Sequence, residues 1–370
     1  MFRPIGNLRF RPTLLPSLTC AAILSALPLA DAVSSKASAP KTLSFALTDW
    51  KYAFVETPEA KECSLGLQAG EVAQFKAQKG YLEHRQKFGG TFENRGPNGE
   101  KGNFSPTSVQ DVLPWSELVT KRGFGMNLDG TPDGRSTAKT CKHEKFLSDD
   151  GEQVDHQLAR VIGCIQGFRT SGLTGDFYRS EVPNFSFNRH LIEIAGVDDE
   201  TNDPEVQVSI YKGIDQLVRT AGGDKFVPYT SQRIDQRFPQ FNIRTRGKIV
   251  DGVLTIDPVP YARFPIRETA NVGERRVRDL HLRLKLGRDG AEGLLAGYED
   301  VAAWWNIKSK GVTPELDKYS PAGMYRALHR YADGYPDSTG QCTAISAAYN
   351  IKAVQVIVVH PNETQRVVNN

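Results

Sequence analysis

Apolar residues recur along this chain with two different periods, and the change between them divides it. Val154, Leu158, Val161, Ile162 and Ile165 fall at i, i+4, i+7, i+8 and i+11, which predicts a helix with one buried stripe. Asp155 at its start is placed to cap free N–H groups and to complement the helix dipole. A looser apolar pattern at Val72, Phe75 and Leu82 suggests another helix over 69–87. From about residue 185 the period becomes two. HLIEIAG (190–196) and EVQVSIY (205–211) read as strands, and RGKIVDGVLTI (246–256) as a hairpin about a type I′ turn at Asp251-Gly252. In VRDLHLRLKLG (277–287), four leucines alternate with His281, Arg283 and Lys285, giving a strand with one dry and one wet face. A second hairpin follows through 287–290. Ser320-Pro321 caps a helix that stops at Gly334, and AVQVIVV (353–359) reads as a buried strand.

These elements predict a mainly β protein with flanking helices (α+β): a mixed N-terminal region over 33–184, then an antiparallel β-sandwich-like region over 185–370. Residues 1–32 read as a signal peptide. Arg3, Arg9 and Arg11 precede an apolar run over 14–30, and Ala30-Asp31-Ala32 offers a small-x-small cleavage pattern. Residues 33–45 read as a disordered lead-in, and 88–114, rich in Gly, Asn, Pro and Ser, as a long loop. The expected location is the periplasm or the extracellular space, with no membrane span once the signal is cleaved.

Charge gives little direction. Lys and Arg number 46 and Asp and Glu 43; cleavage after Ala32 removes three Arg and one Asp, leaving about +1 and no general case for nucleic acid. Four cysteines remain, which in an oxidising compartment reads as two disulfides. Spacing favours Cys141 with Cys164, leaving Cys63 with Cys342. A tetrahedral zinc site from Cys141, His143, His156 and Cys164 is the rival, at a spacing unlike the usual fingers.

The stretch NLDGTPDGRSTAKTCKHEKFLSDDGEQVDHQ (127–157) is too polar to fold by burial. Asn127, Asp129 and Asp133 stand at i, i+2 and i+6, a spacing that lets a tight loop aim several oxygens at one hard cation. Over 127–134 the chain resembles the short calcium loops of dockerins, thrombospondin type 3 repeats and EF-hands. It departs from the EF-hand at Pro132, where that loop has Gly, and at Ala138, where it has a bidentate Glu. Asp149, Asp150 and Asp155 are the expected remaining ligands, returned by a second turn at Asp150-Gly151, and the expected ion is Ca²⁺. The alternative is a pair of solvated turns. A second acidic loop with Asp198, Asp199 and Asp203 offers the same choice.

Other candidates are weaker. Arg244, Arg246 and Lys248 share one strand face, and His281, Arg283 and Lys285 another; on neighbouring strands they would form a basic patch for anionic saccharides or lipid head groups. Trp304-Trp305 could stack sugars or fill a core. Cys342, with His329 or His360 as base, could be a nucleophile, but a disulfide is the plainer use. No hydrolase, zinc-protease, P-loop or dinucleotide motif is present in the mature chain. The resulting expectation is a calcium-stabilised binding or structural protein of the envelope or extracellular space, its partner a polysaccharide or envelope component. The alternative is a carboxylate-based extracellular hydrolase using some of Glu299, Asp300, Asp333 and Asp337.

Overall fold

The computed structural model describes residues 40–68, 83, 95–109, 115–268, 271–309 and 317–361, all within the unit Ala39–Asn370. The expected signal peptide, the helix over 69–87 (Glu83 apart) and much of the 88–114 loop lie outside the described residues.

Eight strands close on themselves. They are β1 (Lys41–Tyr52), β4 (His190–Val197), β5 (Asp203–Lys212), β7 (Ile243–Val250), β8 (Val253–Ile256), β10 (Asn271–Leu286), β11 (Gly290–Asp300) and β13 (Cys342–Val359). Each pairs antiparallel with the next in that order, and β13 pairs back to β1 from Phe45↔Gln355 to Tyr52↔Tyr349. This closure corrects the expected sandwich. A sandwich and a barrel share the same period-two pattern, dry inside and wet outside; only the non-local β1–β13 pairing tells them apart. Three strands lie off the ring: β6 (Thr230–Arg233), β9 (Val259–Glu268) and β12 (Gly334–Pro336), on β13, β10 and β13 respectively. A small hairpin joins β2 (Phe146–Leu147) to β3 (Gln153–Val154).

The local turn chemistry matches its sequence. Asp251 and Gly252 both take positive φ, as a type I′ turn between β7 and β8 demands. Ser320 Oγ accepts from the Gly323 N–H at the head of the Pro321–Tyr331 helix. Elsewhere the pattern overreached. The helix expected over 154–165 is only Gln157–Ile162 (α1), with His156 at its N-cap position. Val154 belongs to β3, and Asp155 turns its side chain elsewhere. Likewise β1 starts at Lys41, inside the expected lead-in.

Leu280, Leu282 and Leu284 are fully buried inside the barrel, while Arg283 and Lys285 face out. That is the reverse of the apolar-out wall of a membrane barrel. An eight-strand lumen is filled by side chains, and one belt in it is polar. Arg275 on β10 pairs with Glu299 on β11 at 2.7 Å and donates to Tyr52 on β1 at 3.2 Å, and the Tyr349 hydroxyl of β13 bonds Glu299. The belt therefore ties four consecutive strands across the closing seam. Among the described residues no helix is long and apolar enough to cross a membrane.

His190 packs edge-on against Trp50 and Phe264. Burial, with Lys212, Arg189 and Arg275 nearby, lowers its pKa to about 3. A histidine depressed in the folded state stabilises above its unfolded pKa, and that contribution is lost as pH falls from about 6.5 toward 3. We expect His190→Gln to lose roughly 2 kcal/mol less than the wild type between pH 7 and pH 5, measured by urea unfolding. Parallel losses in the two proteins would contradict this.

Candidate functional site: a buried ionic node

The 122–157 segment lies on the outside of the barrel. Phe124, Met126 and Leu128, spaced by two, cover Ala53, Ala296 and Ala348. Ala296 and Ala348 are register partners, and the Ala53 N–H donates to the Ala348 carbonyl, so three small side chains form a shallow seat. Gly125 is required for the approach: a Cβ there would stand 2.6 Å from the Asp155 carbonyl oxygen. Gly134 has positive φ, and its Cβ would meet the His143 carbonyl at 2.2 Å.

Two disulfides clamp this arrangement, with pairings that correct the expected ones. Cys63 bonds Cys164, and Cys141 bonds Cys342. Cys141 is held away from Cys164 because its segment bridges to β12 at Thr140–Gly334, where the Cys141 N–H donates to the Asp333 carbonyl and Pro336 faces Cys342. The loops closed span 101 and 201 residues, worth about 5 kcal/mol each in the chain-entropy model. The zinc arrangement does not form: Cys141 and Cys164 are spent in different bridges, and His156 Nδ1 donates to the Phe124 carbonyl. Cys342 is no nucleophile for the same reason. Two disulfides fit a protein outside the cytoplasm.

Asn127, Asp129 and Asp155 do share a centre, and the Lys145 ammonium stands in it. Nζ donates to Asn127 Oδ1 at 2.7 Å, to Asp129 Oδ1 at 2.6 Å and to Asp155 at 3.0 Å. Three donors meet three acceptors, and the Lys145 side chain is 1% exposed. The other three expected ligands lie elsewhere. Asp133 is exposed beside Arg135, Asp149 forms a two-pronged pair with Arg122, and Asp150 accepts from the Ser148 hydroxyl. In the second acidic loop, Asp203 accepts from the Asp198 and Glu205 N–H groups and Asp199 from Thr201, which are turn caps.

His143, expected in the rival zinc site, and Asp333, expected in the hydrolase alternative, both stand in this node instead. His143 Nδ1 faces the Cys141 carbonyl at 2.9 Å and Nε2 faces Asp155 Oδ1 at 2.8 Å. Both nitrogens meet oxygens, so both carry protons. Burial opposes that charge, but the Asp155 bond and the Asp333 charge outweigh it and raise the pKa to about 9. Asp333 Oδ1 accepts from the Ser346 N–H, whereas Oδ2 is buried without a partner. Burial pushes this carboxyl up to about 7 against the pull of His143. For Asp129, the burial penalty is outweighed by the bonds from Lys145 and Thr131, and its pKa is lowered. His143 also edges a cleft of about 470 Å³ lined by Lys142, Arg160, Arg330 and Tyr331.

The acids of the hydrolase alternative serve other ends. Glu299 is in the barrel belt, Asp300 accepts from Ala303 N at the head of the Val301–Lys308 helix, and Asp337 accepts from Thr339. Trp304 is buried against Phe168 while Trp305 packs on Tyr325, so the pair makes no common platform. Comparison with protein-family models, curated proteins and solved structures gave no match.

Removing one partner from a buried ion pair strands the others. We expect Lys145→Met to cost roughly 3–5 kcal/mol in chemical unfolding, with loss of the ordered 122–157 segment read by hydrogen exchange. A cost under about 1 kcal/mol would show that the ammonium does not hold the node.

Proposed function

We propose that this is an exported protein, cleaved near Ala32, that binds an anionic polysaccharide on one wall of its barrel. The observation that carries the reading is the composition of that wall. The outward positions of β7, β8 and the second half of β10 are Arg244, Arg246, Lys248, Val250, Val253, Thr255, His281, Arg283 and Lys285. Five are cations and none is a carboxylate. Register brings the two basic rows together: Lys248 pairs with Thr255, and Thr255 with Arg283, so β8 alone separates them. From strand dimensions the basic area measures about 10 by 14 Å.

Acidic groups reach it only from the borders. Glu205 on β5 stands 3.5 Å from Arg246, and Glu292 on β11 pairs with Lys352 at 3.6 Å. On a chain whose total charge is close to zero, such local asymmetry favours a polyanion that spans several cations over a single small anion. The exposed methyls of Val250, the half-buried ones of Val253 and the Thr255 hydroxyl between the rows suit sugar rings. Nothing in this wall calls for catalysis, and it supports binding.

The mature, oxidised protein should be retained on immobilised heparin and on polygalacturonate, but not on neutral dextran, with affinity falling steeply as salt rises. The outward-facing double variant Lys248→Glu/Arg283→Glu should lose most of that retention with an unchanged melting temperature. Equal retention of the variant, or elution of the wild type with the dextran flow-through, would end the proposal; equal binding to duplex DNA would remove the saccharide from it.

A further inference from the structure

We infer that His143, Asp129, Asp155 and Asp333 form a binding site for one divalent first-row transition metal, held beside the Lys145 ammonium. The geometry centres on a single nitrogen. His143 Nε2 has three carboxylates from three chain segments around it: Asp155 Oδ1 at 2.8 Å, Asp333 Oδ2 at 3.8 Å and Asp129 Oδ2 at 3.9 Å. Ligand atoms of Asp129, His143 and Asp155 all fall within 4.8 Å of one another. Donors about 2.1 Å from a tetrahedral ion stand about 3.4 Å apart, a spacing these three ligand atoms approach, with Asp333 facing the same nitrogen as the fourth.

A second observation points to a ligand. Asp333 Oδ2 is buried, has no hydrogen-bond partner and is aimed at the same nitrogen. The Tyr298 hydroxyl is also buried and unpartnered, and it feels the charges of Asp333, Asp155 and Asp129. Such orphaned groups are rare in a packed interior.

The surroundings are those of a metal site. His143 donates its other ring N–H to the Cys141 carbonyl, which fixes the tautomer that presents Nε2. Each carboxylate is held through its remaining oxygen: Asp155 Oδ2 by Leu128 N, Asp129 Oδ1 by Lys145, and Asp333 Oδ1 by Ser346 N. Charge closes as well. Three carboxylates balance one ammonium and one divalent ion, with the imidazole neutral. With imidazolium and ammonium alone, one negative charge is left uncompensated. The imidazole ligand is why the class is a transition metal and not the calcium suggested by the loop's oxygens, and the cleft beside His143 provides an entry path.

The test is calorimetric titration of the full oxidised chain, stripped with EDTA and then freed of it, with Zn²⁺, Mn²⁺ and Ca²⁺ in turn. One equivalent of Zn²⁺ or Mn²⁺ should bind with release of about one proton, because the Nε2 proton must leave. Asp333→Asn keeps the acceptor for Ser346 and should fold, yet bind at least ~10-fold more weakly. His143→Gln should not bind, and His329→Gln, a half-buried histidine outside the cluster, should bind as the wild type does. No stoichiometric binding of Zn²⁺ or Mn²⁺ to the wild type would overturn the assignment, as would preference for Ca²⁺ or undiminished binding by Asp333→Asn.

Discussion

The pairing of β1 with β13 is the contact on which the rest of the molecule depends. It joins strands about 300 residues apart and removes both sheet edges at once, so the ring exposes no long unpaired ladder between them. The Arg275–Glu299 belt crosses that seam from the inside, through Tyr52 on β1 and Tyr349 on β13. The alanine seat for the 122–157 segment lies on its outside, with Ala53 just past β1 and Ala348 on β13. Loop-closure entropy must be met before so distant a pairing is rewarded. Everything that decorates the seam therefore forms on a surface that exists only once the chain ends have met.

Burial of charge explains how a segment this polar becomes ordered there. Its apolar contribution is limited: three side chains on alanines, with Phe146 and Val154 buried in the main core. The remainder is electrostatic, with a buried ammonium and imidazolium facing Asp129 and Asp155. A buried ionic group set often contributes little net stability over a well-packed apolar one, yet it tolerates few alternative registers. Here it works together with two bridges, Cys63–Cys164 and Cys141–Cys342, which limit where the segment can go before the charges meet. Specificity comes from the charges and tethering from the sulfurs.

What could be read from sequence was local. The Asp251-Gly252 turn, the leucine alternation of β10 and the Ser320 cap each depend on residues within a few positions of one another, and each is present. Where a distant partner decides, the pattern was silent or misleading. Val154 and Ile165 fit the helical stripe because both are buried, but only Gln157–Ile162 is helical, the flanks being buried by a β-hairpin and a turn. The disulfide pairing depended on where β12 lies. Of the node, Asn127 and Asp129 are legible in the oxygen spacing of their loop, and Asp155 as a ligand returned by the Asp150-Gly151 turn. Lys145 was passed over because lysine is so rarely buried, and Asp333 arrives from 178 residues beyond Asp155, too far for any spacing rule.

The basic wall and the ionic node meet on β10. His281 is the register partner of Ala296, one of the alanines beneath the 122–157 segment. Two residues on, Arg283 faces Leu294, which packs under the same segment, and its charge reaches Asp150 in the β2–β3 turn. The segment thus forms one border of the wall and places the Asp150 carboxylate near Arg283. The β2–β3 turn is held by its own bonds, Arg122 on Asp149 and Ser148 on Glu152, and the hydrogen bonds at Asp155 tie the segment that carries it to the node. A cation bound between His143 and Asp333 would strengthen that tie, holding the border still and leaving Arg244, Lys248 and Lys285 to face the solvent as a fixed array.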